Sequence, residues 1–326
     1  MSWKKLTEEE RLALAQRHAN GENLDSEASR LGIPAESFYR RIREYKNNLI
    51  VQIAAKESNL PFRQLVTPVV HDDFIVQATD EAIIISDLEM PDTDPEMLEA
   101  AFLLGVSRGI RTLIIVGDFN AWDQAFLTTH PTISNNQMDV SDNIRRSNKL
   151  IEVMLMWFTE IFITSGNHDE RVAKATFGEM NHESLFSKYG DRVKFSRFRY
   201  MWLKTSRGYA YLCHPTNYSE DSAKLAAQIY DKMVSPDGSK PYAIVMAHTH
   251  QPQFRKSRDN LCECYALGCM RDVKRTEYVM QSSNKFAQWG QSVLVLQDGY
   301  FEHYERESTN WARVLGEYGV KARIAQ

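Results

Sequence analysis

Five short apolar runs share one feature: each ends on side chains that can bind a metal ion. The runs are IIISDLE, LIIVGDFN, IFITSGNHDE, YLCHP and IVMAHTH, and they lie between residues 83 and 250. Short β-rich runs that stop at turn or polar residues predict buried strands. Ligands of layered α/β folds bind beyond the carboxyl ends of the strands. The five ends are therefore expected to converge and to bring carboxylates, histidines and an asparagine together.

Helical patterns alternate with these predicted strands. The segment PEMLEAAFLLGVSRG separates the second strand of the domain from the third. Ile151, Met154, Leu155 and Phe158 follow the i, i+3, i+4, i+7 spacing of one helix face. Strands that alternate with amphipathic helices predict a layered α/β domain, which begins near residue 72.

Composition excludes several classes of protein. The apolar fraction is 43%, the charged fraction is 25% and the formal net charge is −4, so no global basic field is present for nucleic acid or an anionic membrane. Four cysteines are too few for a disulfide-framed chain of 326 residues. The longest apolar stretch, residues 153–163, contains Glu160 and is shorter than a membrane span. Residues 1–16 lack a signal-peptide pattern. We therefore expect a cytoplasmic protein with no membrane partner, and the sequence does not determine its oligomeric state.

The first 50 residues form a separate helical pattern. Thr7 and Glu10 make a capping box for a helix that is expected to end near Gly21. A short helix, a Gly-Ile-Pro turn and a longer helix from Ala35 follow, in a pattern that resembles the helix-turn-helix of small DNA-binding domains. The candidate nucleic-acid contacts on the longer helix are Arg40, Arg41, Arg43 and Lys46. Nine basic residues face eight acidic ones in residues 1–50, so a three-helix unit that docks a protein partner stays an equal alternative.

The five strand ends, taken in order, resemble the calcineurin-like metallophosphoesterase family. That family's pattern runs Asp-X-His, Gly-Asp, Gly-Asn-His-Asp or Glu, His, then Gly-His-X-His, and the match covers residues 72–305. The resemblance implies a layered β-sandwich flanked by helices, preceded here by a small α-helical domain. The expected organisation is a helical domain at 1–50, a connector at 51–71, the metallophosphoesterase domain at 72–305 and a helical tail at 306–326.

The resemblance also implies a centre of two divalent ions. Asp118 would bridge both ions; Asp87, Glu89 and His250 would complete one site, and Asn167, His214 and His248 the other. Carboxylate, imidazole and amide ligands suit Mn²⁺ first, with Fe²⁺, Zn²⁺ or Mg²⁺ as alternatives. His168 is implied as the general acid or charge stabiliser at the leaving oxygen, and Asp169 is expected to orient its ring. Arg171 is a candidate phosphate contact.

Three departures from the family pattern affect the site. Glu89 stands where the family has histidine, which would make the site more negative by one charge and favour a harder ion, or would mark a weakened metal site. Ala247 replaces the glycine that opens the last motif. Residues 128–143 form a polar insert that is expected to be a loop near the cleft. Asp123 has no position in the family pattern and stays unassigned.

The residues leave three functions open. The first is a phosphodiesterase or nuclease that acts on a nucleic acid or nucleotide, with DNA as a partner of the N-terminal helices. The second is a phosphomonoesterase or protein phosphatase whose N-terminal helices dock a partner. The third is a DNA-binding protein with a weakened esterase site.

Overall fold

The computed structural model describes residues 3, 6–45, 75–76, 79–124, 127, 138–177, 179–273 and 289–316. The chain divides into two compact units, Met1–His71 and Asp72–Gln326. None of the helices in these described ranges combines the length and the apolar character that a bilayer crossing requires.

The described residues of the first unit form three helices. They are α1 (Glu8–Ala19), α2 (Asp25–Arg30) and α3 (35–45). The predicted capping box is confirmed, since Glu10 N donates to Thr7 Oγ1 over 3.2 Å and Thr7 N donates to Glu10 Oε2 over 2.7 Å. Leu24, Phe38 and Ile42 are fully buried and form the centre of the unit's own core. The unit therefore carries an apolar core of its own.

The second unit is built on two six-stranded sheets. Its strands are β1 (Ile75–Val76), β2 (Ala82–Ile85), β3 (Thr112–Val116), β4 (Glu160–Thr164), β5 (Val193–Phe195), β6 (Tyr200–Thr205), β7 (Gly208–Cys213), β8 (Ala243–Met246), β9 (Gln253–Lys256), β10 (Glu263–Ala266), β11 (Ser292–Gln297) and β12 (Tyr300–Glu305). One sheet has the order β1-β6-β7-β8-β10-β9 and the other β12-β11-β2-β3-β4-β5.

Helices accompany these sheets. They are α4 (Pro95–Ser107), α5 (Val140–Trp157), α6 (Glu170–Ala175), α7 (His182–Phe186), a 3-10 helix (Ser187–Arg192), α8 (Ser222–Lys232) and α9 (Trp311–Gly316). The expected fold class, a layered β-sandwich flanked by helices with a helical segment ahead of it, is confirmed. The polar insert differs from its expectation, because residues 140–143 are already helical, with Asp139 as the N-cap of α5. Residues 128–137 of that insert lie outside the described residues.

Alternation along the strands explains the layers. Ile84 of β2 and Val245 of β8 belong to the apolar layer between the two sheets. Ile83 and Ile85 point to the opposite face of β2, where they join α4 and α5 in a second apolar layer. Successive side chains of a strand point to opposite faces, so a strand covered on both sides reads as a continuous apolar run. This burial holds the ends of β2, β3, β4, β7 and β8 in fixed positions.

Candidate metal centre

Parallel pairing brings the first strand ends together. β2 and β3 are parallel neighbours, with Ile85 opposite Ile115. Their connection continues beyond the strands, because Asp87 N donates to Gly117 O over 3.2 Å and Glu89 N donates to Asp118 O over 2.9 Å. The three acids of the two loops are therefore carried on a backbone that is hydrogen-bonded up to the site.

Five of the predicted ligand residues have left-handed backbone conformations. The φ values are 51° for Asp87, 46° for Glu89, 48° for Asp118, 85° for His248 and 58° for His250. Residues other than glycine rarely occupy this region, and such conformations concentrate at functional sites. Five of the nine residues other than glycine with positive φ in the described part of the chain are therefore ones that the sequence singles out for chemistry.

The predicted ligands form two adjoining groups. Asp118, His214 and His248 offer ligand atoms that all lie within 4.8 Å of one another, and so do Asp87, Glu89 and His250. The groups meet at the acids: His214 Nε2 lies 3.1 Å from Asp87 Oδ1 and 3.2 Å from Asp118 Oδ2. They correspond, apart from Asn167, to the two sets that the family resemblance implies, and a third group within the same distance joins Glu89, Asp118 and His168. All of these side chains are buried except His248, which is half-buried.

Asn167 and two glycines complete the fit. The Oδ1 atom of Asn167 is buried and has no hydrogen-bond partner among the described residues, as a carbonyl oxygen reserved for an ion would be. A Cβ on Gly166 would lie 2.0 Å from Asp118 Oδ1, and one on Gly117 would lie 2.4 Å from the ring of His214. The loops therefore approach as closely as they do because both positions lack a side chain. The donor set and the orphaned oxygen fit a pair of divalent ions.

The buried acids already attract positive charge. Burial alone would lower the pKa of His214, but the carboxylates of Asp118 and Asp87 raise it to about 10. Burial opposes the shift of Asp118, yet the His214 and His168 rings beside it hold its pKa below the usual range. A divalent ion would satisfy the same carboxylates and release the proton of His214. Burial lowers the pKa of His248 to about 4, which keeps that imidazole neutral and available as a ligand.

His168 lies against the bridging acid. Its backbone N–H donates to Asp118 Oδ1 over 2.8 Å, and its ring Nε2 lies 3.9 Å from Asp118 Oδ2. Burial lowers the pKa of His168 to about 4, so the ring is neutral near pH 7 and offers an N–H donor. The negative charge of a bound phosphoester would raise this pKa again.

Asp169 has other partners than the His168 ring. Its carboxylate accepts hydrogen bonds from Gly166 N over 2.8 Å and from Asn120 N over 3.0 Å, and it lies 3.3 Å from His182 Nε2. The acid ties the loop after β3 to the loop after β4. We expected it to orient His168; the structure gives it contacts that position the loops instead.

The acid that lies beside the His168 ring is Asp123. Its Oδ1 lies 3.8 Å from His168 Nδ1 and is ion-paired with Arg171. Burial raises the pKa of Asp123 to about 7, and Arg171 counteracts only part of that shift. The guanidinium of Arg171 also donates to Ala121 O over 2.8 Å. Arg171 thus holds Asp123, and its contact with substrate stays a prediction.

Several residues of the site could not be predicted from the sequence. Arg271 is fully buried beside Glu89 and Asp92, and the ring of Trp289 lies 4.2 Å from that of His250. His182 belongs to the network of Asp169. Each of these lies far along the chain from its partner, so only the fold reveals the contact. Cys213, which precedes His214 at the end of β7, is buried in an apolar cluster.

The candidate nucleic-acid contacts belong to the first unit. Arg40 and Arg43 are exposed on α3, and Arg41 is half-buried. Lys46 lies outside the described residues. Their role in DNA binding stays a prediction.

Comparison with known proteins yields likeness in structure alone. No family model matches the chain, and no curated protein matches it. Vps29 from Chaetomium thermophilum is 9% identical with a TM-score of 0.40, over 71% of this chain and 87% of that chain. A metallophosphoesterase from Sphaerobacter thermophilus is 14% identical with a TM-score of 0.36, over 74% and 95%. The E. coli phosphoesterase YfcE is 12% identical with a TM-score of 0.34, over 67% and 88%. Likeness at this level carries no argument about function, which must come from the site.

Proposed function

We propose that this protein is a metal-dependent phosphoesterase that hydrolyses a phosphodiester of a nucleic acid or nucleotide. One observation carries the proposal: two groups of carboxylates and imidazoles, all buried except the half-buried His248 and each with ligand atoms within 4.8 Å of one another, adjoin at the strand ends. The buried Oδ1 atom of Asn167, which has no hydrogen-bond partner among the described residues, is part of the same candidate site. The mixed oxygen and nitrogen donors favour Mn²⁺, with Fe²⁺, Zn²⁺ or Mg²⁺ as alternatives.

The residues have separate roles in this proposal. Asp118 would be shared by the two ions, with Asp87, Glu89 and His250 on one side and Asn167, His214 and His248 on the other. When bound, the ions would supply Lewis acidity, which lowers the pKa of water and neutralises charge on the phosphoryl oxygens.

His168 would donate a hydrogen bond from Nε2–H to the leaving oxygen, and the carboxyl of Asp123, whose Oδ1 lies 3.8 Å from Nδ1, would lie beside the other side of the ring. Asp169 and its backbone partners would hold the loops at their spacing. The three ligand carboxylates offset only part of the charge of two divalent ions, so the centre stays positive, which suits an anionic diester.

The first unit favours a nucleic-acid substrate. Exposed Arg40 and Arg43 lie on a helix that follows a tight turn, as in helix-turn-helix modules. The near balance of charge in residues 1–50 supports the alternative, a phosphomonoesterase or protein phosphatase whose helices dock a protein.

Hydrolysis of two chromogenic esters tests the proposal. The purified chain with Mn²⁺ should hydrolyse bis-p-nitrophenyl phosphate and barely attack p-nitrophenyl phosphate. Chelator-treated protein serves as the control and should be inactive until Mn²⁺ is returned. The reverse preference would support the monoesterase, and no hydrolysis of either ester would support the weakened site.

A further inference from the structure

Arg271 is a fully buried guanidinium at the edge of the candidate metal centre. It follows β10, and its chain segment is anchored by hydrogen bonds from Gln291 Nε2 to Arg271 O over 3.0 Å and from Asp272 N to Asp92 O over 2.7 Å. A buried cation is costly unless acids compensate for it. The acidic side chains around Arg271 therefore indicate which negative charges it compensates.

Its compensating acids surround the guanidinium. Nη1 donates to Glu89 Oε2, Nη2 donates to Asp92 Oδ2 over 2.9 Å, and Nη2 also lies 3.7 Å from Asp123 Oδ2. The planar fork of an arginine can hold two carboxylates in fixed directions, which a lysine cannot do. Arg271 thus links a predicted ligand, Glu89, to the acid that lies beside His168.

The two oxygens of Glu89 have different neighbours. Oε2 is held by Arg271, while Oε1 lies 3.3 Å from His250 Nε2 within the first ligand group. One oxygen is therefore occupied by the arginine and the other faces the ligands. This geometry presents Glu89 as a ligand with one available atom, as a histidine would be.

We propose that Arg271 is a positioning residue that holds Glu89 through Oε2 and offsets part of its charge, so that the Glu89–Arg271 pair takes the place of one histidine ligand. The proposal rests on the proposed metal centre. It also modifies the expectation that Glu89 makes the site more negative by one charge, because the buried arginine, which Glu89 shares with Asp92, offsets part of that charge. Glu89 and Arg271 should then act on metal binding as one unit.

A double-mutant cycle on Mn²⁺ affinity tests this coupling. The variants are Glu89→His, Arg271→Gln and the double variant, each titrated with Mn²⁺ by calorimetry after circular dichroism has verified the fold. Glu89→His leaves Arg271 with Asp92 as its remaining close carboxylate and puts the guanidinium beside a neutral ligand, so we expect the ion held by position 89 to bind about tenfold more weakly. Adding Arg271→Gln should recover most of that loss. In the parent protein the same Arg271→Gln change releases Glu89 and should weaken binding.

Opposite signs of the Arg271→Gln effect in the two backgrounds are the result expected of a paired unit. The same change in affinity in both backgrounds would overturn the proposal. Asp92→Asn is the matched control, because it removes the other close carboxylate of Arg271 and leaves Glu89 paired. It should lower the melting temperature without changing the number of Mn²⁺ ions bound.

A lysine variant keeps the test decisive if the glutamine variants do not fold. Arg271→Lys retains the charge, so it should give no recovery in the Glu89→His background, and recovery there would overturn the charge argument. The two proposals fail in different ways. If the parent protein binds no Mn²⁺, the metal centre itself fails; if it binds two ions without coupling between positions 89 and 271, only the role of Arg271 fails.

Discussion

Individual residues of the centre hold conformations that destabilise the fold. Asp87, Glu89 and Asp118 have φ values of 51°, 46° and 48°, and each left-handed position costs on the order of 1–3 kcal/mol for a residue with a side chain. Their carboxylates are buried together, which adds repulsion. Conformations that cost this much free energy of folding persist when function requires them. They distinguish the residues whose substitution should affect the reaction from those whose substitution should affect only stability.

His168 should affect the reaction and not the ions. In His168→Ala we expect turnover of a chromogenic diester to fall by about 10²–10⁴-fold, the usual contribution of a positioned acid or base. The metal content after dialysis should stay the same, because the ring is outside both implied ligand sets, although it also lies near Glu89 and Asp118 in a third group. Loss of metal in this variant would mean that His168 is itself a ligand.

Gly166 should be intolerant of one methyl group. An alanine Cβ there would lie 2.3 Å from the backbone N of Asp118, so the loops must separate. We expect Gly166→Ala to lose about 1–3 kcal/mol of unfolding free energy and to bind less Mn²⁺, measured by denaturation and metal analysis. Gly316→Ala is the control, because its added Cβ meets nothing within 4 Å. Unchanged metal binding in Gly166→Ala would contradict the close approach of the loops.

Elements differ in how much of them the sequence could predict. Strands buried on both faces, such as β2, β3 and β8, are continuous apolar runs and were found with their functional ends. The strands that were missed include β9 and β12, which lie at sheet edges. An exposed edge strand such as QFRK carries charge and has no such run, and charged edges prevent association between sheets.

Contacts between distant elements could not be predicted from the sequence. Glu89 and Arg271 are 182 positions apart, and nothing in the local sequence of either residue indicates the other. The two ligand groups were inferred because parallel strands end at one edge, which is a rule of topology. The ion pair follows from how the loop after β10 packs on the loop after β2, and packing of loops obeys no such rule.

The start of α4 offers a prediction at the scale of one helix. Asp94 caps it, accepting hydrogen bonds from Glu96 N over 3.0 Å and Met97 N over 3.1 Å, and it is ion-paired with Arg306. Asp94→Ala removes the cap and should cost about 1 kcal/mol of unfolding free energy. Asp94→Asn keeps a capping oxygen and loses only the charge, which makes it the matched variant.

The two variants should also differ in pH dependence. Burial would raise the pKa of Asp94, but the N–H of Met97 and the guanidinium of Arg306 lower it overall. A carboxyl with a lowered pKa stabilises the fold above its unfolded pKa of about 3.9, and that contribution disappears as the pH falls through the folded pKa. The stability gap between the parent and Asp94→Asn should therefore close below about pH 4 in urea melts. A gap that persists unchanged in acid would contradict the ion pair.

The whole molecule combines a buried centre with a helical unit that has its own core. The centre depends on strand ends that two sheets hold in place, and the first unit depends on residues such as Phe38 and Ile42. Exposed side chains of α3 take no part in that core, so they can be changed without unfolding the unit. Substrate binding and hydrolysis can therefore be altered separately if the first unit binds nucleic acid.

Substitution of the exposed arginines of α3 tests whether substrate binding can be altered without altering hydrolysis. Replacing exposed Arg40 and Arg43 by alanine should weaken binding to duplex DNA and reduce the salt dependence of binding by up to about two phosphate contacts. Hydrolysis of bis-p-nitrophenyl phosphate should not change, since this small diester needs only the metal centre.

Arg17 and Arg30 are the matched control for charge, because each is ion-paired within the unit, with Glu22 and with Glu27 at 2.7 Å. Their replacement by alanine removes the same two charges and should weaken DNA binding less. If the two pairs of variants have the same DNA affinity, DNA binding depends on the total charge of the unit and not on α3. The docking of a protein partner would then be the role assigned to α3.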